Sequence, residues 1–133
     1  MARPSSDYPT QLELEMLKIL WQHSPLSVQQ VREALEEQPS SRTLTHSSVI
    51  TVLNIMVRKK YLKRTKHGRA FCYQPLVTVQ QVNRGMLGDM VDRVFDGSAK
   101  ALMLELLEGA EIDIEELKEI RRLVNRKAKE QAE

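Results

Sequence analysis

The fold of this 133-residue chain is decided by one stretch, THSSVITVLNIMVRKKYLKRTKHGRAFCYQP, residues 45–75. In its first half, apolar residues recur three and four apart at Val49, Val52, Leu53 and Met56. This spacing predicts a helix with one buried face. After Tyr61 the helical spacing ends, and two short segments, residues 62–66 and 69–73, flank His67-Gly68. This arrangement predicts a β-hairpin in which Gly68 adopts the positive φ of a tight turn. A helix followed directly by a hairpin is therefore the centre of the fold.

Two more helices are predicted before this stretch, because each has a capping box. In Thr10-Gln11-Leu12-Glu13 the threonine hydroxyl can accept from the amide of the glutamate, whose carboxylate reaches back. Ser27-Val28-Gln29-Gln30 has the same pattern. The first helix should end near His23 and the second before Gln38. Three short helices and then a hairpin indicate a winged helix-turn-helix domain, which we assign to residues 1–78.

The basic residues are concentrated in one part of the chain. Residues 1–76 have a net charge of +5 and residues 77–133 a net charge of −3, which gives +2 for the whole chain. No Asp or Glu occurs in residues 38–88, whereas nine Lys and Arg do. A segment of one sign favours a polyanionic partner, since an ordinary surface intersperses acids. The alternative is a hairpin edge that lysines protect from pairing.

We expect the polyanion to be double-stranded DNA. In a winged helix the third helix docks in the major groove, where short polar side chains can contact bases, and basic side chains neutralise phosphates. The candidate contacts are Arg42, His46, Ser47, Ser48, Ile50, Thr51, Asn54, Arg58, Lys60, Lys63, Arg64, Lys66 and Arg69. Ordinary exposed surface is the alternative for the polar residues, and partial burial is the alternative for Ile50 and Ile55.

Residues 79–133 are predicted to form a helical dimerisation region. Gly97 can end one helix, Ser98 begins the next, and Asp113 caps the last. The apolar stripes of these helices are larger than a slender helical appendage can bury by itself, so we expect a second copy of the chain to cover them. The candidate interface residues are Leu102, Leu106, Leu107, Leu117, Ile120 and Val124. The alternative is one larger fold, with these helices packed on the winged helix.

The chain resembles the BlaI/MecI/CopY family of bacterial repressors, of penicillinase-repressor type. The resemblance rests on ELEMLKILW (residues 13–21), residues 45–62, FCYQPL (residues 71–76) and DIEELKEI (residues 113–120), and it spans about residues 10–127. It implies a dimeric repressor on a palindromic operator, with a regulatory protease or sensor as a further partner. Antibiotic-responsive members are cleaved at an Asn-Phe pair, where this chain has Glu105-Leu106. The C-terminal cysteine cluster of the copper-responsive members is absent.

Several classes of function have little support in the sequence. No catalytic signature and no glycine-rich phosphate loop occur, so we expect neither an enzyme nor a cofactor. Three histidines and one cysteine lack the spacing of a metal site. No stretch approaches the ~20 apolar residues of a membrane span, and the lone Cys72 fits the reducing cytoplasm. Two other functions stay open: a winged helix that docks proteins, and a regulator that senses a small ligand.

Overall fold

The structure is a computed structural model that describes residues 8–133. Within these residues, one helix and one short strand precede two helices, a two-stranded hairpin and three further helices. The elements are α1 (Gln11–Gln22), β1 (Leu26–Ser27), α2 (Val28–Glu37), α3 (His46–Arg58), β2 (Leu62–His67), β3 (Ala70–Pro75), α4 (Val79–Val94), α5 (Ala99–Gly109) and α6 (Ile114–Ala132). The predicted class, mainly α with a small hairpin in a winged helix-turn-helix, is confirmed.

Side-chain caps begin the first three helices where the sequence predicts. The carboxylate of Glu13 accepts from the Thr10 amide at 2.8 Å, and the Thr10 hydroxyl accepts from the Glu13 amide at 3.2 Å. Ser27 and Gln30 form the same reciprocal pair at α2, and the side chain of Thr45 caps α3. These caps satisfy amides that have no partner inside a helix.

The predicted hairpin is confirmed, and a third strand joins it. β1 pairs antiparallel with β3, and β3 with β2, so the strand order is β1-β3-β2. The sequence did not predict β1, since two residues are too few for an alternating pattern to be seen. The turn is Gly68-Arg69 rather than His67-Gly68, because His67 pairs with Ala70 and extends the strand. Gly68 has a φ of +65°, which a glycine adopts without steric strain.

The core of the winged helix is built by its helices together with the base of the hairpin. Its buried residues are Met16, Leu17, Ile19 and Leu20 of α1, Val28, Val31 and Leu35 of α2, Val49, Leu53 and Met56 of α3, and Tyr61, Leu62, Tyr73 and Val82. Burying one such large side chain contributes about 1.5–3 kcal/mol. Of the four apolar residues whose spacing predicted α3, three enter this core and the fourth, Val52, is half-buried against it.

A hydrogen bond fixes the chain where it leaves the sheet. The indole nitrogen of Trp21 donates to the carbonyl of Val77 at 2.9 Å, and Val82 in α4 is buried. By its contacts the chain divides into a first unit that ends at Gly88 and a second unit, Asp89–Glu133. The beginning of α4 therefore belongs to the winged-helix unit, and the assignment of residues 1–78 and 79–133 as domains stays a prediction.

The second unit consists of the end of α4 and of α5 and α6. Gly97, at a φ of +82°, follows α4, Ser98 caps α5, and Asp113 caps α6 by accepting from the amide of Glu116 at 2.8 Å. These boundaries agree with those predicted. No side chain of α5 or α6 is buried in the single chain.

Candidate nucleic-acid interface

α3 presents its polar residues on the side opposite the core. Val49, Leu53 and Met56 are fully buried, and they fix the rotation of the helix about its axis. The exposed residues of α3, which we call the polar strip, are His46, Ser47, Ser48, Thr51 and Arg58. The strip has short uncharged groups, Ser47, Ser48 and Thr51, in its N-terminal half and a cation at its C-terminal end, so a flat ligand can approach the helix backbone closely near its start.

Hydrogen bonds order the N-terminal part of the polar strip. The Thr45 hydroxyl accepts from the Ser48 amide at 3.1 Å and donates to Ser48 Oγ at 2.8 Å. The Thr51 hydroxyl donates to the carbonyl of Ser47 at 2.8 Å. Because its proton is engaged, the Thr51 oxygen retains capacity as an acceptor, beside a methyl group. This pair of groups suits the amino edge of adenine or cytosine and the methyl group of thymine.

The two isoleucines of α3 are half-buried, as the alternative to DNA contact predicted. Ile50 packs against the core of the winged helix. A side chain used in this way has less surface left for a thymine methyl group. The DNA contact of Ile50 stays a prediction.

Asn54 differs from the polar strip because it is half-buried and its oxygen is engaged. Asn54 Oδ1 accepts from Nη1 of Arg64 at 3.1 Å and from the hydroxyl of Tyr73 at 3.2 Å. Since Arg64 lies on β2 and Tyr73 on β3, one amide oxygen connects α3 to both strands. The predicted DNA contact of Asn54 therefore rests on its amide nitrogen. The signal for this connection in the sequence is Tyr73, because a buried tyrosine hydroxyl needs a partner.

The hairpin, which we call the wing, presents cations on both faces and at its tip. Lys66 pairs with Phe71 and Arg64 with Tyr73 across the strands, so these four side chains share one face. The guanidinium of Arg64 lies 4.4 Å from the centre of the Phe71 ring, a cation–π contact. Lys63 belongs to the opposite face, and Arg69 forms part of the turn. All the wing cations, Lys63, Arg64, Lys66 and Arg69, are exposed.

Two of the nine basic residues in the acid-free segment are paired with acids of α1. Arg42 Nε lies 2.7 Å from Glu15 Oε2, and Lys59 Nζ lies 3.0 Å from both carboxylate oxygens of Glu13. The Ser40 hydroxyl also donates to Glu15. These hydrogen bonds, first that from Ser40 and then that from Arg42, hold the pKa of Glu15 below its usual value.

These pairs change the interpretation of the charge pattern. The segment is free of acids along the sequence but not in space, because the pairs join residues 27 and 46 positions apart. Sequence reasoning missed them for that reason. Arg42, a predicted DNA contact, is engaged within the protein, and its DNA contact stays a prediction. The candidate cations that form no ion pair to an acid within residues 8–133 are Arg58, Lys60, Lys63, Arg64, Lys66 and Arg69.

Lys60 occupies a backbone position that usually belongs to glycine. It lies just after α3 with a φ of 66°, and the amide of Tyr61 closes the helix end by donating to the carbonyl of Met56 at 2.9 Å. A residue with a Cβ atom in this left-handed conformation costs about 1–2 kcal/mol. This strained position carries an exposed cation, and along the chain it lies between the polar strip and the wing.

The C-terminal candidates divide into two groups. Leu106, Leu107 and Val124 are exposed, whereas Leu102, Leu117 and Ile120 are half-buried. Six further large apolar residues of the second unit, none of them among the interface candidates, are also exposed: Met90, Val94, Met103, Leu104, Ile114 and Leu123. The second unit thus presents more apolar surface than we predicted.

Other kinds of site find little support in the described part of the chain. Residues 8–133 contain no helix with the length and apolar character needed to cross a bilayer. They also contain no group of three or more His, Cys, Asp or Glu placed to hold a metal ion. A cavity of about 80 Å³ is lined by Tyr8, Pro9, Tyr61, Val77, Gln81, Val82 and Gly85. This volume is well below the roughly 300–1,000 Å³ of pockets for drug-sized ligands.

A winged helix with a polar strip on its third helix and a cationic wing defines the class of DNA-binding regulators. Within that class, the sequence profile described as Penicillinase repressor matches residues 9–126. The match covers most of the chain, which therefore belongs to the penicillinase repressor family. This assignment confirms the resemblance that the sequence motifs indicated.

Individual relatives are distant but similar over most of their length. The chain is 26% identical to the penicillinase repressor of Bacillus licheniformis over 108 residues, which are 81% of this chain and 82% of that protein. It is 22% identical to the methicillin resistance regulatory protein MecI of Staphylococcus aureus over 115 residues, which are 86% of this chain and 91% of that protein. The solution structure of the DNA-binding domain of the repressor BlaI superposes with a TM-score of 0.47 and 25% identity, and covers 58% of this chain and 90% of that domain.

Proposed function

We propose that this chain is a transcriptional repressor that binds an inverted-repeat operator as a homodimer in the cytoplasm. The observation that carries the proposal is the polar strip of α3, which ends at Arg58 and is followed by the exposed Lys60 and the wing cations. Small polar groups suit base edges, and cations suit the phosphates beside the groove. Membership of the penicillinase repressor family supports the same function.

Each part of the interface has its own role in this proposal. Ser47, Ser48 and Thr51 contact base edges in the major groove. Arg58 and Lys60 contact phosphates at the end of the helix, and the wing cations contact the backbone beside it. Each phosphate contact releases counterions, so the logarithm of the binding constant should fall with the logarithm of salt concentration by about 0.9 for each contact.

The dimer is proposed to form through the second unit. Its helices have exposed apolar residues that a two-fold partner would cover, among them Leu106, Leu107 and Val124. A two-fold axis would set two copies of α3 about 34 Å apart, one turn of DNA, and the operator would then be an inverted repeat. A regulatory protease or sensor that acts on this unit is a further prediction from the family resemblance.

The first experiment is selection from random double-stranded DNA at roughly physiological salt, followed by sequencing. Enrichment of an inverted repeat is the expected result, and sedimentation of the protein with the selected duplex should give two chains per duplex. Salt-sensitive binding without any enriched sequence would leave only a nonspecific DNA-binding protein. If no DNA bound at all, the protein-docking function would replace the repressor.

A further inference from the structure

We propose that Glu13 and Glu15 of α1 are positioning residues that hold α3 for DNA binding, and that Lys59 and Arg42 act through these carboxylates rather than on phosphates. The inference rests on the proposed function, since it assigns a task to residues beside the DNA-binding surface. Four charged residues thereby form two connections from α1, one to the segment before α3 and one to the end of α3.

The first connection holds the segment that leads into α3. Glu15 accepts from Arg42 Nε at 2.7 Å and from the Ser40 hydroxyl. Both donors lie between the end of α2 at Glu37 and the Thr45 cap of α3. The carboxylate therefore restrains the segment that leads to the Thr45 cap and to the first turn of α3.

The second connection holds the C-terminal end of α3. Lys59 is the C-cap residue of the helix, and its Nζ lies 3.0 Å from each oxygen of Glu13. The side chain of Glu13 is only 4% exposed, and it also accepts from the Thr10 amide at 2.8 Å. Since the carboxylate is held by the helix cap and by burial, it is a fixed point for the lysine. Loss of the lysine would leave a buried carboxylate without its cation, which strongly destabilises the folded protein.

The geometry of α1 explains how two nearby acids reach both the segment before α3 and the C-terminal end of α3. Residues two apart in a helix point about 200° apart, so the side chains of Glu13 and Glu15 diverge. α3 has 13 residues and is therefore about 20 Å long. Fixing both ends of such a helix restricts its tilt as well as its position, and base contacts require both.

Electrostatics and positioning predict opposite signs for the same substitution, which makes the inference testable. Removal of a negative charge near the DNA-binding surface should strengthen DNA binding if the charge acts only through space. Removal of a positioning carboxylate should weaken specific binding, because α3 is then less well fixed. Glu36 is an exposed acid on α2, so Glu36→Gln makes the same change in net charge and serves as the matched control.

The experiment compares Glu15→Gln with Glu36→Gln on two duplexes: the inverted repeat selected by the wild-type protein, and a scrambled duplex of the same composition. We expect Glu15→Gln to bind the selected duplex about three- to tenfold more weakly, the effect of one lost polar contact. Its binding to the scrambled duplex should be unchanged or stronger. Glu36→Gln should bind both duplexes at least as tightly as the wild type. If Glu15→Gln and Glu36→Gln bound the selected duplex equally well, the inference would be wrong.

Arg42→Met tests the other side of the pair. A lost phosphate contact would lower the salt slope by about 0.9 for each protomer and weaken both duplexes alike. A lost positioning contact should leave the salt slope unchanged and lower only the ratio of the binding constants for the selected and the scrambled duplex. The charge exchange Glu15→Arg with Arg42→Glu should recover part of this ratio. A reduced slope in Arg42→Met would identify a direct phosphate contact and overturn the positioning role.

Folding and function are separated by two further measurements. Trp21 fluorescence shows whether each variant is folded at the assay temperature.

The double variant Lys59→Met with Glu13→Gln probes the second connection. Because Glu13 is neutralised in the same chain, the loss of Lys59 leaves no buried carboxylate without its cation. This double variant should show a lower ratio of selected to scrambled binding constants, with an unchanged salt slope. If the ratio stayed at the wild-type value, Glu13 would have no positioning role. If the wild-type protein selected no inverted repeat, the proposed function itself would fail, and the inference would fail with it.

Discussion

The two units of this chain differ in how much of their apolar surface they bury. In the winged-helix unit, three helices and the base of the wing surround a continuous core, and residues such as Leu53 and Tyr73 are fully buried. In the second unit, no side chain of α5 or α6 is fully buried in the single chain, and residues such as Leu102 and Ile120 are only half-buried. Both units have the same amphipathic helix pattern in the sequence. The pattern therefore predicts an apolar face but not whether that face is covered within the chain.

The difference indicates different sources of stability. The core of the first unit is complete within residues 8–88, so its stability should not depend on protein concentration. The second unit exposes large residues such as Leu106, which is 52% exposed, and its stability should increase with concentration if a second copy covers them. The same substitution made in both units can test this contrast.

The largest effect is expected for Leu53→Ala. Leu53 is fully buried at the centre of α3, and truncation of such a leucine typically costs about 2–5 kcal/mol of unfolding free energy. The measurement is urea denaturation followed by the fluorescence of Trp21, whose indole lies in this unit. Leu106→Ala should leave the same transition nearly unchanged. Equal losses in the two variants would contradict a self-contained first unit.

Leu106→Ala should instead weaken the dimer. Burial of the exposed half of this side chain contributes roughly 0.75–1.5 kcal/mol, and the contact occurs twice in a two-fold dimer, so the dissociation constant should rise about tenfold or more. Sedimentation equilibrium over a range of concentrations measures this constant. Lys100→Ala, at an exposed polar position of the same helix, is the control. An unchanged constant in Leu106→Ala would place the dimer contact elsewhere.

Asn54→Ala and Thr51→Ala should separate support from base contact within α3. Loss of Asn54 removes the amide oxygen to which the buried Tyr73 hydroxyl donates at 3.2 Å, and leaving that hydroxyl without an acceptor costs about 1–3 kcal/mol. Loss of the exposed Thr51 side chain should change stability by less than about 0.5 kcal/mol while it alters base preference by about 1–3 kcal/mol. Denaturation and repeated DNA selection on both variants check these outcomes. A stable Asn54→Ala variant would show that the connection to the wing is dispensable.

Local patterns in the sequence were sufficient to predict the helices. The capping residues Thr10, Ser27 and Thr45 and the apolar spacing of α3 act over a few residues, and the structure begins each helix at those caps. Strand β1 could not be predicted in this way, because its two residues become a strand only by pairing with β3. The turn was misplaced by one residue because the His67–Ala70 pair depends on the register of the whole hairpin.

The candidate site was harder to predict, because its residues interact across long separations. The composition of residues 38–88 predicted a basic surface, yet it gave no indication that Glu13 and Glu15 reach into that segment. The polar pattern of α3 likewise placed Asn54 beside Thr51, although only the fold brings Asn54 to Arg64 and Tyr73. Local sequence patterns identify which side chains are available, and tertiary contacts decide which of them the protein itself uses.

The smallest effect is expected for Lys60→Gly. Unlike a substitution in the core, it should raise the unfolding free energy while it weakens DNA binding. Glycine adopts the left-handed φ of this position without the steric cost that lysine incurs, so relief of strain outweighs the added flexibility of the unfolded chain. The unfolding free energy should rise by about 1 kcal/mol or less. Affinity for DNA should fall, and the salt slope should decrease by about 0.9 for each protomer, because one phosphate contact is lost.

A second substitution separates the backbone from the charge at this position. Lys60→Asn also removes the cation, but asparagine tolerates the left-handed region less well than glycine. It should therefore weaken DNA binding as much as Lys60→Gly does, with a smaller gain in stability. Denaturation and salt-dependent binding measured on both variants decide the matter. If Lys60→Gly were more stable and bound DNA with an unchanged salt slope, the strain at Lys60 would have no connection to DNA. If the gain in stability came with a reduced salt slope, the first unit would be shown to maintain a strained cation for DNA binding.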